Sequence, residues 1–150
     1  EIGFENHRPV VYSAGVPYAF VPVPTMAAIR KAGVQPQHWH DAFSGAVPGS
    51  VYLYCRDTVH TTSSFHARMF APHHGVTEDP ATGSAAAAFA GVVQHYDGLT
   101  DGEYRRSVEQ GYVMGRPSMI QLYLEVERGR LHTVRIGGHA VRVSEGTIEV

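Results

Sequence analysis

Along this chain, apolar residues alternate with polar ones over short stretches more often than they recur at helical spacing, so strands dominate the predicted elements. Residues 9–15 and 18–24 predict two strands. Pro22 and Pro24 place the end of the second at an edge or a bulge, because proline cannot donate to a ladder. Thr25 is the predicted cap of a short helix over 26–32, closed by Gly33, and 36–43 predicts another. Strands follow at 50–56 and 65–70. In the latter, Phe65, Ala67 and Met69 share one face and His66, Arg68 and Phe70 the other. A loop rich in histidine, proline and acid fills 71–83. The clearest helix spans 84–96 and ends at Asp97-Gly98. A turn of helix is expected over 101–108, then strands over 119–127, 131–136, 139–143 and 147–150, with Arg128-Gly129-Arg130 and Gly137-Gly138 as turns.

The 84–96 helix shapes the fold expectation. Ala85, Ala86, Ala87, Ala88, Ala90 and Gly91 are small, Phe89, Val92 and Val93 are apolar, and the first turns carry no charge. A helix that is apolar all round is buried all round. A curved, mostly antiparallel sheet wrapped around it accounts for both features. The class is α+β, because strands and helices do not alternate regularly.

Composition narrows the picture. The 150 residues fit one domain of ordinary size. With 43% hydrophobic and 17% charged residues, extended disorder is excluded. A net charge of -2 gives no basic field for nucleic acid or an anionic membrane. No apolar run is long enough to cross a bilayer. The lone Cys55 excludes an internal disulfide framework and reads as a buried small hydrophobe, so a cytoplasmic location is the expectation. The chain opens Glu1-Ile2-Gly3-Phe4 without a methionine, which marks it as an expected fragment or processed product.

The candidate chemistry lies in Glu78-Asp79-Pro80-Ala81-Thr82-Gly83-Ser84-Ala85. Asp79 precedes proline and is held extended. Gly83 lets the backbone approach a ligand closely. The first amides of a helix have no internal partner and carry partial positive charge, so this start is an anion site. Ser84 adds a hydroxyl there, and Asp79 a carboxylate able to accept or relay a proton. From the residues alone a blander alternative stands: Thr82 or Ser84 caps the helix, and Asp79 is a surface turn residue.

The stretch from Phe70 through Pro72-His73-His74-Gly75 to Ala85 resembles the signature of the phenazine-biosynthesis (PhzF-like) family. Gln110-Gly111 with Met114-Gly115-Arg116-Pro117-Ser118, and Val134-Arg135-Ile136-Gly137-Gly138-His139-Ala140-Val141, match in order. The resemblance implies a diaminopimelate-epimerase-like fold of two lobes, with residues 1–150 forming one C-terminal lobe and the N-terminal lobe absent. It implies an isomerase of the kind acting on trans-2,3-dihydro-3-hydroxyanthranilate, by acid/base proton transfer without cofactor or metal. Asp79 and Ser84 would be catalytic. Thr82, Gly83 and Ala85 would bind a small carboxylate-bearing substrate; from the residues alone, His74 near the acidic loop is a further candidate to touch it, and Arg116 is either a bidentate partner for a carboxylate or a loop arginine paired on the surface. The family's proton-moving glutamate has no counterpart here, so the isolated lobe is expected to be inactive. Its expected partners are the missing lobe and a second copy in a homodimer. A non-catalytic binding or interaction module on the same fold is the alternative.

Other constellations are weaker. His38 and His40, and His73 with His74, form only pairs, whereas a metal site needs three or four convergent ligands. Cys55 lies far in sequence from the helix start, against a two-cysteine racemase mechanism.

Overall fold

The computed structural model describes residues 2–43, 45 and 48–149. In chain order they form β1 (Val10–Ser13), β2 (Pro17–Pro22), α1 (Met26–Lys31), α2 (Pro36–Ala42), β3 (Val51–Cys55) and β4 (Phe65–Ala71). A short 3-10 turn (Pro72–His74) leads to β5 (Val76–Asp79), α3 (Gly83–Asp97), β6 (Gly102–Gln110), β7 (Ser118–Glu127) and β8 (Arg130–Gly137). All eight strands join one mixed sheet, in the order β1-β2-β3-β4-β6-β7-β8, with β5 added beside β4. The β2–β3 and β4–β6 pairs are parallel and the rest antiparallel.

Helix α3 packs on β1 and β2 at one end of the sheet order and on β7 and β8 at the other. The sheet is therefore curled. Phe89 sits among the rings of Phe20, Tyr52, Tyr54 and Phe65, with centroids 4.8 to 5.8 Å away, the spacing at which aromatic pairs attract. The expectation of a helix buried on every side needs correction. Ser84 is exposed, and Ala87 and Gly91 are half-buried. Strands β1 and β8 do not meet over them, leaving a groove of about 410 Å³ between Tyr12, Leu131 and Val134.

The outer face of β4 is covered too, so all seven of its residues are buried. Arg68 donates to the carbonyls of Ile29 and Ala32, closing the end of α1, and forms a two-pronged bond with Glu78 at 2.8 Å on each arm. Next to it, His66 Nδ1 lies 2.9 Å from Glu109 Oε2, and the Val59 and His60 amides donate to the same carboxylate. Burial raises the Glu109 pKa, but the bonds from His66, both amides and Ser63 outweigh it and hold the group below its usual range. Replacing Glu78 with glutamine leaves the Arg68 guanidinium buried without its counter-charge. Urea denaturation of that variant is expected to show a loss of about 3 kcal/mol.

His7 anchors the N-terminal segment. It is fully buried and stacked between Phe4 and Tyr96, at 4.3 and 4.4 Å. Arg56 donates to its Nε2, so Nδ1–H donates to the Tyr54 hydroxyl at 3.0 Å. Burial and the Arg56 charge push its pKa below the ordinary value of 6.5. The unfolded chain then binds the proton more readily. The resulting stabilisation is present above pH ~6.5 and is lost as pH falls through the folded-state value. His7→Phe keeps the ring stack and removes the titration. Its melting temperature is expected to vary less than the wild type's between pH 7 and 5.

Four predicted elements are corrected. The segment expected to be helical at 101–108 is strand β6, paired with β7 from Gly102 to Gln110. The loop at 71–83 contains the 3-10 turn and β5. Residues 139–149 form no strand, because no neighbouring strand offers them a ladder, and Val150 lies outside the described residues. Strand β2 is an inner strand, but β1 stops opposite Phe20, so at Pro22 only the β3 side is paired with a strand, as expected of a proline-terminated end.

Candidate active site

The site follows from how β4 is shared. Strand β6 pairs with the first half of β4, setting Gln110 opposite Ala67. Strand β5 pairs with the second half, setting Asp79 opposite Met69. Asp79 and Gln110 thus end side by side, and the chain turns from Asp79 through Pro80 into α3.

Gln110 is fully buried and uses both ends of its amide. Its Nε2 donates to the Asp79 carbonyl at 2.7 Å and to Thr82 Oγ1 at 2.9 Å. Its Oε1 accepts from Thr82 N–H and from the Tyr52 hydroxyl, each at 3.3 Å. An N–H only donates and a carbonyl only accepts, so these partners fix the orientation of the amide. Thr82 Oγ1 donates in turn to Asp79 Oδ2 at 2.6 Å, a short charge-assisted bond. Burial, with the neighbouring Tyr18 and Asp79, pushes the Tyr52 phenol above its usual range and keeps it a neutral donor.

Thr82 occupies the cap position of α3, yet no side chain caps this helix. Its carbonyl accepts the first helical bond, from Ala86 N–H at 3.0 Å. The Gly83, Ser84 and Ala85 amides lie in the first turn, where the helix supplies no acceptor. Ser84 Oγ lies 2.7 Å from the Tyr18 hydroxyl. Ile136 of β8 covers Gly83 so closely that a Cβ there would stand 3.0 Å from its Cδ1. Ile136, 43% exposed, supplies an apolar wall beside these polar groups.

Loop 111–117 closes the rear of the site. Gly111 has φ +80°, and a Cβ on it would fall 2.2 Å from the Arg116 carbonyl oxygen and 2.9 Å from that of Pro80. The Ser118 hydroxyl, within reach of the carbonyls of Pro80 and Gln110, ties this loop to the Asp79 turn.

Of the residues singled out in the sequence, Asp79, Thr82, Gly83, Ser84 and Ala85 come together. Asp79 ends a strand, so it is no surface turn residue. Neither the His74 nor the Arg116 side chain bonds to any of these residues, although the Arg116 and Pro80 carbonyls both crowd Gly111. The His74 ring lies tilted against that of His73, 3.8 Å away on the exposed 3-10 turn, and the length of β5 separates it from Asp79. Arg116 is exposed, and its backbone N–H closes the loop onto Gly111. The roles of Tyr18, Tyr52, Gln110 and Ile136 escaped the sequence reading. Gln110 and Ile136 left a trace there only as members of the two shorter matching pieces. Cys55 is fully buried beside α1, its thiol pushed up to about 12 by burial and by Asp57, which makes it inert. Among the described residues, no three His, Cys, Asp or Glu side chains converge as metal ligands. No helix there is long and apolar enough to cross a membrane.

A curled mixed sheet with a polar cluster at an uncapped helix start defines an α+β protein with one candidate small-molecule site. The chain belongs to the PhzC-PhzF family, described as phenazine biosynthesis-like protein, whose pattern matches residues 2–146. It is 50% identical over 151 residues to an uncharacterised isomerase of Mesorhizobium japonicum, covering 99% of this chain and 50% of that protein. It is 29% identical over 143 residues to trans-2,3-dihydro-3-hydroxyanthranilate isomerase of Pseudomonas chlororaphis, covering 92% and 46%. A crystal structure of the Bacillus anthracis phenazine biosynthesis protein of the PhzF family shares the fold. Its TM-score is 0.75 at 23% identity, over 85% of this chain and 44% of that one. The chain spans about half the length of these relatives.

Proposed function

We propose that this chain is one lobe of a diaminopimelate-epimerase-like isomerase and supplies one wall of an active site that moves a proton on a small carboxylate-bearing substrate. The observation that carries this reading is the pairing of the Asp79 carboxylate with an uncapped helix start, one group suited to protons and the other to anions. The free amides of the first turn would hold the substrate carboxylate. Asp79, oriented by Thr82, would accept or relay a proton, and the Ser84–Tyr18 hydroxyl pair would bind a polar substituent. Ile136 would pack on the apolar body. The relatives' size supports a second lobe that completes the cleft. By analogy with the Pseudomonas relative, the substrate class is a small cyclic hydroxy amino acid.

The test is turnover of trans-2,3-dihydro-3-hydroxyanthranilate by the full-length protein in D₂O, with chelator present and no cofactor added. Isomerised product carrying solvent deuterium on carbon is expected. Turnover that requires an added cofactor or metal would refute the mechanism. A well-folded enzyme that ignores this and related cyclic amino acids would refute the substrate class.

A further inference from the structure

Two threonines in this chain stand at helix caps, and they behave differently. Thr25 has extended backbone angles, and its Oγ1 accepts from the third amide of α1, that of Ala28, at 3.1 Å. This is the ordinary capping bond. Thr82 stands at the same place on α3, with Ala85 as the matching third residue, and makes no such bond. Its ψ is 88°, against 160° at Thr25. Its hydroxyl accepts from Gln110 Nε2 and donates to Asp79 Oδ2. Its amide donates to Gln110 Oε1. Gln110 therefore grips Thr82 from both sides and turns the hydroxyl away from its own helix.

Building on the anion-site reading above, we infer that Gln110 is a positioning residue that keeps α3 uncapped, so that the Gly83–Ala85 amides stay open to a substrate carboxylate. An ordinary threonine cap would fill that place with its own oxygen and compete with any incoming anion. The same grip aims the Thr82 hydroxyl at Asp79, so a single buried amide sets both halves of the site. Gln110 reaches this position because β6 ends opposite Ala67 while β5 ends opposite Met69. Tyr52, buried in the core, holds the amide from behind.

The test uses acetate as the probe and follows the Gly83, Ser84 and Ala85 amide resonances of the full chain by NMR. Wild type is expected to show saturable shifts at these amides. Gln110→Met, close in volume and without the amide, frees Thr82 to cap Ala85 and is expected to weaken acetate binding about tenfold. Adding Thr82→Val to that variant removes the competing oxygen and is expected to restore most of the affinity, which a merely structural role for Gln110 would not allow. If Gln110→Met does not fold, Gln110→Asn, polar but one methylene shorter, is read in its place with the same expectations. Unchanged acetate binding in the Gln110 variant, or no recovery in the double variant, would overturn this inference alone. No saturable shift in the wild type would overturn the anion-site reading, and this inference with it.

Discussion

Asp79→Asn in the full-length protein is expected to cut turnover by roughly 10²-fold or more, the usual size of a positioned proton-transfer contribution. Asparagine has nearly the same shape as aspartate, and its Oδ1 still accepts from the Thr82 hydroxyl 2.6 Å away. Packing is preserved while the charge that accepts a proton is removed. Ser84→Ala is expected to have a similar effect on turnover through a different loss, that of the hydroxyl paired with Tyr18. Ser84 is exposed, so water reaches the orphaned phenol and stability changes by only about 1 kcal/mol. The measurement is kcat and KM for both variants beside their thermal unfolding. Wild-type activity in both, with folding intact, would remove this cluster from the chemistry.

Gly111→Ala is expected to have the largest effect on the fold near the site. An L residue at this left-handed φ is strained by about 1–2 kcal/mol. The new methyl would also stand far inside contact distance of two backbone carbonyls, which cannot swing aside as a side-chain end can. Either loop 111–117 or the Pro80 turn must move. Overpacking typically adds a further 1–3 kcal/mol, so a total loss of about 3 kcal/mol is expected. The Pro80 carbonyl is one residue from Asp79 and bonded to Ser118, so turnover falls along with stability. Urea denaturation and kcat on one preparation check both effects. A variant as stable and active as wild type would show that the loop does not brace the site.

Much of this architecture was legible in the sequence, and the exceptions have physical causes. Elements whose burial follows their period, such as β7 and α3, stand out. Strand β6 does not, because Arg106 occupies a position between the inward Tyr104 and Val108. That arginine reaches the Asp97 carboxylate near the end of α3, and a charge at such a position hides the alternation. Strand β5 has four residues, two of them acids, and forms only because β4 has a free half-edge. The 139–143 segment shows the converse: Val141 and Val143 alternate as a strand would, but both are more than four-fifths exposed and no strand lies alongside.

The candidate site was legible where it is contiguous, from Asp79 to Ala85. It was not legible where it depends on register. Gln110, Tyr18, Tyr52 and Ile136 come from four different strands, and only the pairing of those strands brings them to the helix start. His74 was read as a candidate from its place near the acidic loop, and Arg116 from the fit of a guanidinium to a carboxylate. They lie on exposed turns whose direction no residue spacing encodes.

The most direct test of the central claim is a crystal structure of the full-length protein with a bound, unreactive analogue of the cyclic amino acid substrate. The account predicts the analogue's carboxylate within hydrogen-bond distance of the Gly83–Ala85 amides, with Asp79 facing a proton that the reaction moves. A carboxylate held elsewhere, with α3 still uncapped and Asp79 facing no ligand, would contradict it.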